Sequence, residues 1–183
     1  PYVHHCNIHS SKTGIMVRYG GNGKYEFNDI SGCSIACDVI CDGVFPQFTS
    51  NHVYNSLIGF NVHAGASAAL VSNNVHNHAK NAINAFTTGN VIIKLNRIHN
   101  NKGSGIHIYT SSFSRESKGN FSIERNEIHD NAHNGVIVEC NTTVLVKMNH
   151  FYSNHMQAIY VDKSYKNADI TLAQNNKAKT RKR

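Results

Sequence analysis

No run of apolar residues in the 183-residue chain approaches the ~18 that a membrane-spanning helix needs, which excludes an integral helical membrane protein. Tryptophan is absent, proline occurs twice, and no C-x-x-C pair is present. The five Cys are odd in number and scattered, which points to reduced thiols in an intracellular compartment, cytoplasm or nucleus, rather than to a disulfide framework. The opening residues Pro1, Tyr2, Val3, His4, His5 and Cys6 lack the charged-then-apolar order of an export signal. They already alternate in polarity, so the chain reads as a piece of a longer protein. With 40% hydrophobic and 16% charged residues, it is long enough for one core.

A net charge of +7 suggests nucleic-acid binding until it is located. Five of the 18 basic residues, Lys177, Lys179, Arg181, Lys182 and Arg183, lie in a tail at 177–183. The body shows no basic stripe, so no nucleic-acid partner is expected, and the tail reads as a solvated end or a localisation signal.

What the chain has in excess is Asn, 25 residues, alongside 13 His. One unit recurs: Asn, any residue, an aliphatic or aromatic, often His, a polar turn, then Gly or Ala and an apolar-x-apolar triplet. The Asn falls at Asn28, Asn51, Asn73, Asn96, Asn126, Asn149 and Asn175, with Cys6 in that place first; the spacings are 22, 23, 22, 23, 30, 23 and 26. Two residues on come Ile8, Ile30, Val53, Val75, Ile98, Ile128 and Phe151. The triplets start at Ile15, Cys37, Phe60, Ile83, Ile106, Val136 and Ile159, and a third short segment places Tyr25, Phe48, Leu70, Ile93, Ile123, Val146 and Leu172 inward. Each segment alternates with period two over three to five residues, and helical spacing is never sustained beyond a turn.

Three short strands per unit of ~22–23 residues describe a rung of an all-β, single-stranded right-handed parallel β-helix. About seven to eight rungs over residues 1–176 are expected, stacked at ~4.8 Å. The recurrent Asn then forms a buried ladder, its amide bonding neighbouring rungs and its backbone accepting the left-handed conformation of a tight turn. The 30-residue spacing marks an insertion at residues 111–118, expected to bulge as a polar loop.

Residues 12–30, with the turn Gly20, Gly21, Asn22, Gly23, and the Asn-x-Ile-His units at Asn96 and Asn126, resemble the β-helix repeats of eukaryotic F-box proteins, substrate receptors of cullin-based ubiquitin ligases. Similar repeats occur in the periplasmic copper-maturation protein NosD and in carbohydrate-active β-helix enzymes. The resemblance implies a non-catalytic protein-interaction module. The alternative is a carbohydrate-binding or carbohydrate-active β-helix, and a structural scaffold is a third reading.

Projecting the triplets outward gives two adjacent columns. One holds Met16, Asp38, Asn61, Asn84, His107, Ile137 and Tyr160; the other holds Arg18, Ile40, His63, Phe86, Tyr109, Glu139 and Asp162. Asn61, His63, Asn84, Phe86, His107, Tyr109, Glu139 and Asp162 form the candidate partner-binding face, with Phe86 and Tyr109 as stacking platforms for a protein or a glycan. Glu139 and Asp162, one rung apart, match the ~5 Å of a retaining glycosidase pair, but sparse acids and no paired Lys or Arg favour a solvated face over catalysis. His9, His76, His99 and His129 share a column that stacked metal ligands would occupy; membership of the repeat explains them without a metal. Cys37 and Cys41 are expected in the core, where free Cys acts as a small hydrophobe. Residues 20–24 lack the spacing of a phosphate loop and read as a turn. No catalytic residue, metal site or cofactor is assigned.

Overall fold

The computed structural model describes residues 1–86, 88–109, 119–166 and 168–177. The insertion at 111–118 and the end of the basic tail lie outside the described residues. Short strands form three sheets, met in turn along the chain. The first sheet runs from Tyr2–His4 to Asp169–Ala173, the second from Asn7–His9 to Asn176–Lys177, and the third from Thr13–Val17 to Ile159–Val161. Within each sheet, neighbouring strands are one rung apart in sequence and pair in parallel. Among the described residues there is no helix. The expected all-β parallel solenoid of about seven turns is the architecture observed.

The alternation of each strand sets which residues enter the core. In the second sheet the inward column is Ile30, Val53, Val75, Ile98, Ile128 and Phe151, all fully buried. In the third, Cys37, Phe60, Ile83, Ile106 and Val136 stack in register beside Val39, Val62, Ala85, Ile108 and Val138. Each buried Ile, Val or Phe contributes roughly 1.5–3 kcal/mol of transfer free energy. Leu172 pairs with Val146 in the expected register but is 48% exposed, since no described rung of the first sheet lies beyond it.

The Asn ladder is buried from Asn28 to Asn149 and half-buried at its last member, Asn175. The Asn73 backbone N–H and side-chain amide both donate to Asn96 Oδ1, at 2.8 and 3.0 Å, and the same amide reaches the Phe48 carbonyl at 2.9 Å. Asn96 repeats this towards Asn126, and Asn126 towards Asn149. One expectation is corrected here: the ladder Asn are not the left-handed residues. The residue before each takes that conformation, at Phe27, Ser50, Ser72, Leu95, Arg125, Met148 and Gln174, with φ of 53–59°. A non-glycine residue there costs about 1–2 kcal/mol; the backbone N–H and amide bonds of the following Asn offset it.

A second ladder runs five residues downstream. Cys33 N–H donates to Ser56 Oγ, Ser56 N–H to His78 Nδ1, His78 N–H to Asn101 Oδ1, Asn101 N–H to Asn131 Oδ1 and Asn131 N–H to Asn154 Oδ1. His78 is fully buried. Accepting at Nδ1 assigns its proton to Nε2, which donates to the Val53 carbonyl at 3.2 Å. Burial pulls its pKa down from 6.5 to about 4. The column also corrects the cysteines: Cys33 and Cys37 are buried, whereas Cys41 is half-buried on a turn with φ 84°.

Candidate functional site

The outward face of the third sheet is fixed by the strands Ile35–Ile40, Ile58–His63, Ile83–Phe86, Ile106–Tyr109 and Val136–Glu139. Their register places Asp38, Asn61, Asn84, His107, Ile137 and Tyr160 in one column. Ile40, His63 and Phe86 stand beside it, followed by Tyr109 and Glu139. The expected double column is thus assembled over the five rungs from Ile40 to Glu139, with Arg18 and Asp162 just past the ends of their strands.

The face is not level. Asp38, Asn61 and Asn84 are only 7–8% exposed and form a floor, while His63, Phe86, Tyr109 and Glu139 stand half-buried along one side. Bulky rings in the second column shield the short polar side chains of the first. Phe86 and Tyr109 are not open platforms either. His63, Phe86 and Tyr109 stack on one another, with centroids 4.9 and 5.0 Å apart, so their faces are mutually occupied and their edges line the groove.

The floor is a connected polar row. Asn61 Nδ2 and His63 Nε2 both donate to Asp38 Oδ1, at 2.9 and 3.0 Å. Burial pushes the Asp38 carboxyl up, but these two hydrogen bonds and the His63 charge outweigh it and leave the pKa below the usual carboxylate value. Further along, His107 Nε2 donates to Glu139 Oε2 at 2.7 Å, and its Nδ1 faces Asn81 Nδ2 at 3.4 Å. Asn81 Nδ2 also reaches Asn84 Oδ1 at 3.0 Å. Asn81 is a site residue that triplet projection missed. It sits in the turn before its strand, where its Oδ1 accepts the Ser104 N–H at 2.7 Å, and so ties the turn to the floor. Burial raises the Tyr109 phenol.

Glu139 and Asp162 are one rung apart, but they do not form a glycosidase couple. Glu139 is engaged by His107, and the Asp162 carboxylate accepts the Ser164 N–H at 2.9 Å, which lowers its pKa. A retaining pair needs one carboxyl raised to act as acid.

The His column is real, but its geometry is a stack. His76, His99 and His129 follow one another at 4.8 and 4.9 Å with interplanar angles of 10° and 2°, and Tyr152 continues the row at 4.4 Å. Ring-nitrogen lone pairs lie in the ring plane, so parallel stacked imidazoles do not converge on one ion. Among the described residues, no group of three or more His, Cys, Asp or Glu is placed to hold a metal.

A family model described as a right-handed beta helix region matches residues 1–177. No curated protein matches the sequence. Among the solved structures that share its fold are two epimerases. The crystal structure of the periplasmic alginate epimerase AlgG superposes with a TM-score of 0.72 at 13% identity, over 97% of this chain and 43% of that one. The A-module of the Azotobacter vinelandii mannuronan C-5 epimerase AlgE4 superposes with a TM-score of 0.67 at 15% identity, over 98% of this chain and 56% of that one. The chain therefore spans about half the length of these structures. Both are named as epimerases, of alginate and of mannuronan, and at this identity the likeness shows the shared fold. No helix among the described residues is long and apolar enough to cross a membrane.

Proposed function

The chain belongs to the right-handed β-helix family, and from that premise we propose that the third-sheet groove binds a glycan of neutral sugars. The observation that supports this most is the pairing of a polar floor with an aromatic wall. Asp38, Asn61, Asn84 and His107 repeat along the rungs beside the stacked His63, Phe86 and Tyr109. Sugar hydroxyls suit such a row of planar acceptors and donors, and the ring edges along one side add apolar contact surface. The strands hold these side chains in place before binding, so little conformational freedom is lost.

Charge narrows the ligand. The two columns carry Asp38, Glu139 and Asp162, and their one Lys or Arg is Arg18 on the first rung. A uronic-acid polymer, such as the mannuronan named for one structural neighbour, would meet like charge along this groove. Neutral chains meet none. The functional groups are also committed to one another: Asp38 takes two donors, and both His107 nitrogens have partners within the groove. Such a network favours a preorganised binding surface over a set of groups poised to move protons.

Isothermal titration against neutral and uronate oligosaccharides tests the reading. Saturable binding of a neutral oligosaccharide, weakened at least tenfold by Phe86→Ala with Tyr109→Ala, supports it. Binding of uronates alone, turnover of any glycan, or no glycan binding overturns it.

A further inference from the structure

The turn that joins the second sheet to the third carries a groove of about 710 Å³ over the first five rungs, a volume usual for a ligand site. Ser10, Gly32, Asn55 and Asn77 line one side, all left-handed at φ of 50–64°. Opposite them, backbone pairing aligns Lys12, Ser34, Leu57, Ala79 and Lys102 in a column, one per rung. Cys33 and Ser56 of the second ladder lie between the two sides. The groove thus opens over rungs in which that ladder holds Cys and Ser, and it stops at Lys102, beside the first of the ladder's Asn, Asn101. Its lining includes two lysines and no Asp or Glu. Among the described residues, the side chains of Lys12, Ser34, Asn55 and Lys102 have no hydrogen-bond or ion-pair partner. Two carboxylates at the second sheet, Asp29 and Asp130, are held by His52 and His129. The third-sheet groove is acidic and bonded to itself, whereas this one is basic and its donors are free.

We propose that this turn groove is a second ligand site, taking a linear glycan that carries carboxylate or sulfate groups and lies along the rod. Lys12 and Lys102 are four rungs apart, about 19 Å at ~4.8 Å per rung, so a single small anion does not bridge them and the ligand is a chain with acidic groups spread along it. Between the lysines, the Ser34 hydroxyl and the Asn55 amide face sugar hydroxyls, and Leu57 with Ala79 adds apolar contact. Spacing favours a glycan over a peptide. An extended peptide turns the same face outward every second residue, about 6.6–6.8 Å, out of step with the rungs. A sugar unit linked across its ring advances by close to one rung, so successive sugars meet equivalent positions. The lining has no aromatic ring on which nucleic-acid bases would stack.

The basic tail would also collect polyanions, so the test uses the full chain carrying Lys177→Gln, Lys179→Gln, Arg181→Gln, Lys182→Gln and Arg183→Gln. Calorimetric titration with a galacturonate hexasaccharide, and separately with a sulfated galactan hexasaccharide, is expected to show saturable uptake of at least one, weakened by added salt. Lys12→Ala with Lys102→Ala should weaken it about tenfold, and Lys12→Arg with Lys102→Arg should retain it. Phe86→Ala with Tyr109→Ala should leave it unchanged, which separates this site from the third-sheet groove. Circular dichroism confirms that each variant is folded. No saturable uptake of either acidic glycan, uptake unchanged by Lys12→Ala with Lys102→Ala, or equal uptake of a hexaglutamate peptide or a thymidylate hexamer overturns the assignment.

Discussion

On the third sheet each outward imidazole leans on a carboxylate, His63 on Asp38 and His107 on Glu139, whereas on the second sheet His76 and His99 sit between other rings, and at the far end of that stack His129 bonds a carboxylate, Asp130, at 2.7 Å. The residue types are alike and the strands are equally regular, yet the chemistry diverges. A carboxylate neighbour accepts a hydrogen bond from the ring and keeps it at the groove edge. Within the stack the imidazolium is disfavoured: burial first, then the charges of His76, His129 and Arg97, hold His99 at about 4, while Asp130 pulls the other way. His76 is lowered by burial and by His52. In a solenoid, what a rung's outward side chain can do is decided by the residues one rung above and below it.

Both faces hang on the same ladder, so removing a rung of it should collapse the distinction. Asn96→Leu strips the acceptor from the Asn73 N–H and amide and should cost about 3 kcal/mol or more. Urea denaturation checks this, and an unchanged midpoint would detach the ladder from the fold's stability.

Acid should separate the faces instead. His78 and His99 have folded pKa values near 4 against 6.5 unfolded, so the unfolded chain binds more protons between those limits. Stability is full above pH 6.5 and is lost as pH falls towards 4, by about 3 kcal/mol for one group shifted this far. The depressed Asp38 acts lower, its contribution disappearing only as pH falls through its own folded pKa. Denaturation at pH 7 and pH 4.5 measures the difference. His99→Phe, which keeps the stack and removes the titration, should flatten the slope.

Smaller effects sharpen the comparison. Phe86→Ala and Tyr109→Ala should each weaken glycan binding by about 1–2 kcal/mol in titration calorimetry, with stability lowered by about 1 kcal/mol through the lost ring stack. Asp162→Asn, whose carboxylate is tied to its own turn, should change binding by less than about 0.5 kcal/mol.

The parts legible in the sequence were those in which a position keeps its residue type. Asn28 to Asn175 and Ile30 to Phe151 are such columns, because rung stacking places each side chain in a repeat of the same environment. The second ladder escaped notice because its demand, an acceptor for a backbone N–H, is met in turn by Ser56, His78, Asn101, Asn131 and Asn154. Its constant offset of five residues from the Asn ladder was the available signal. The left-handed residues Phe27, Leu95 and Met148 carry no turn chemistry of their own; the following Asn imposes the conformation. Nor does strand alternation reveal that Asp38, Asn61 and Asn84 sink into a floor, since that depends on the ring sizes of the neighbouring column. The His52 contact with His76 crosses rungs on the diagonal, where column counting does not look.

The groove assignment is tested most directly by nuclear magnetic resonance during titration with a neutral oligosaccharide. The account predicts saturable shifts of the Phe86, Tyr109 and His107 ring signals and the Asn61 and Asn84 amides, with His76, His99 and His129 unmoved. Shifts confined to the second-sheet stack, or no shifts on either face, would contradict it.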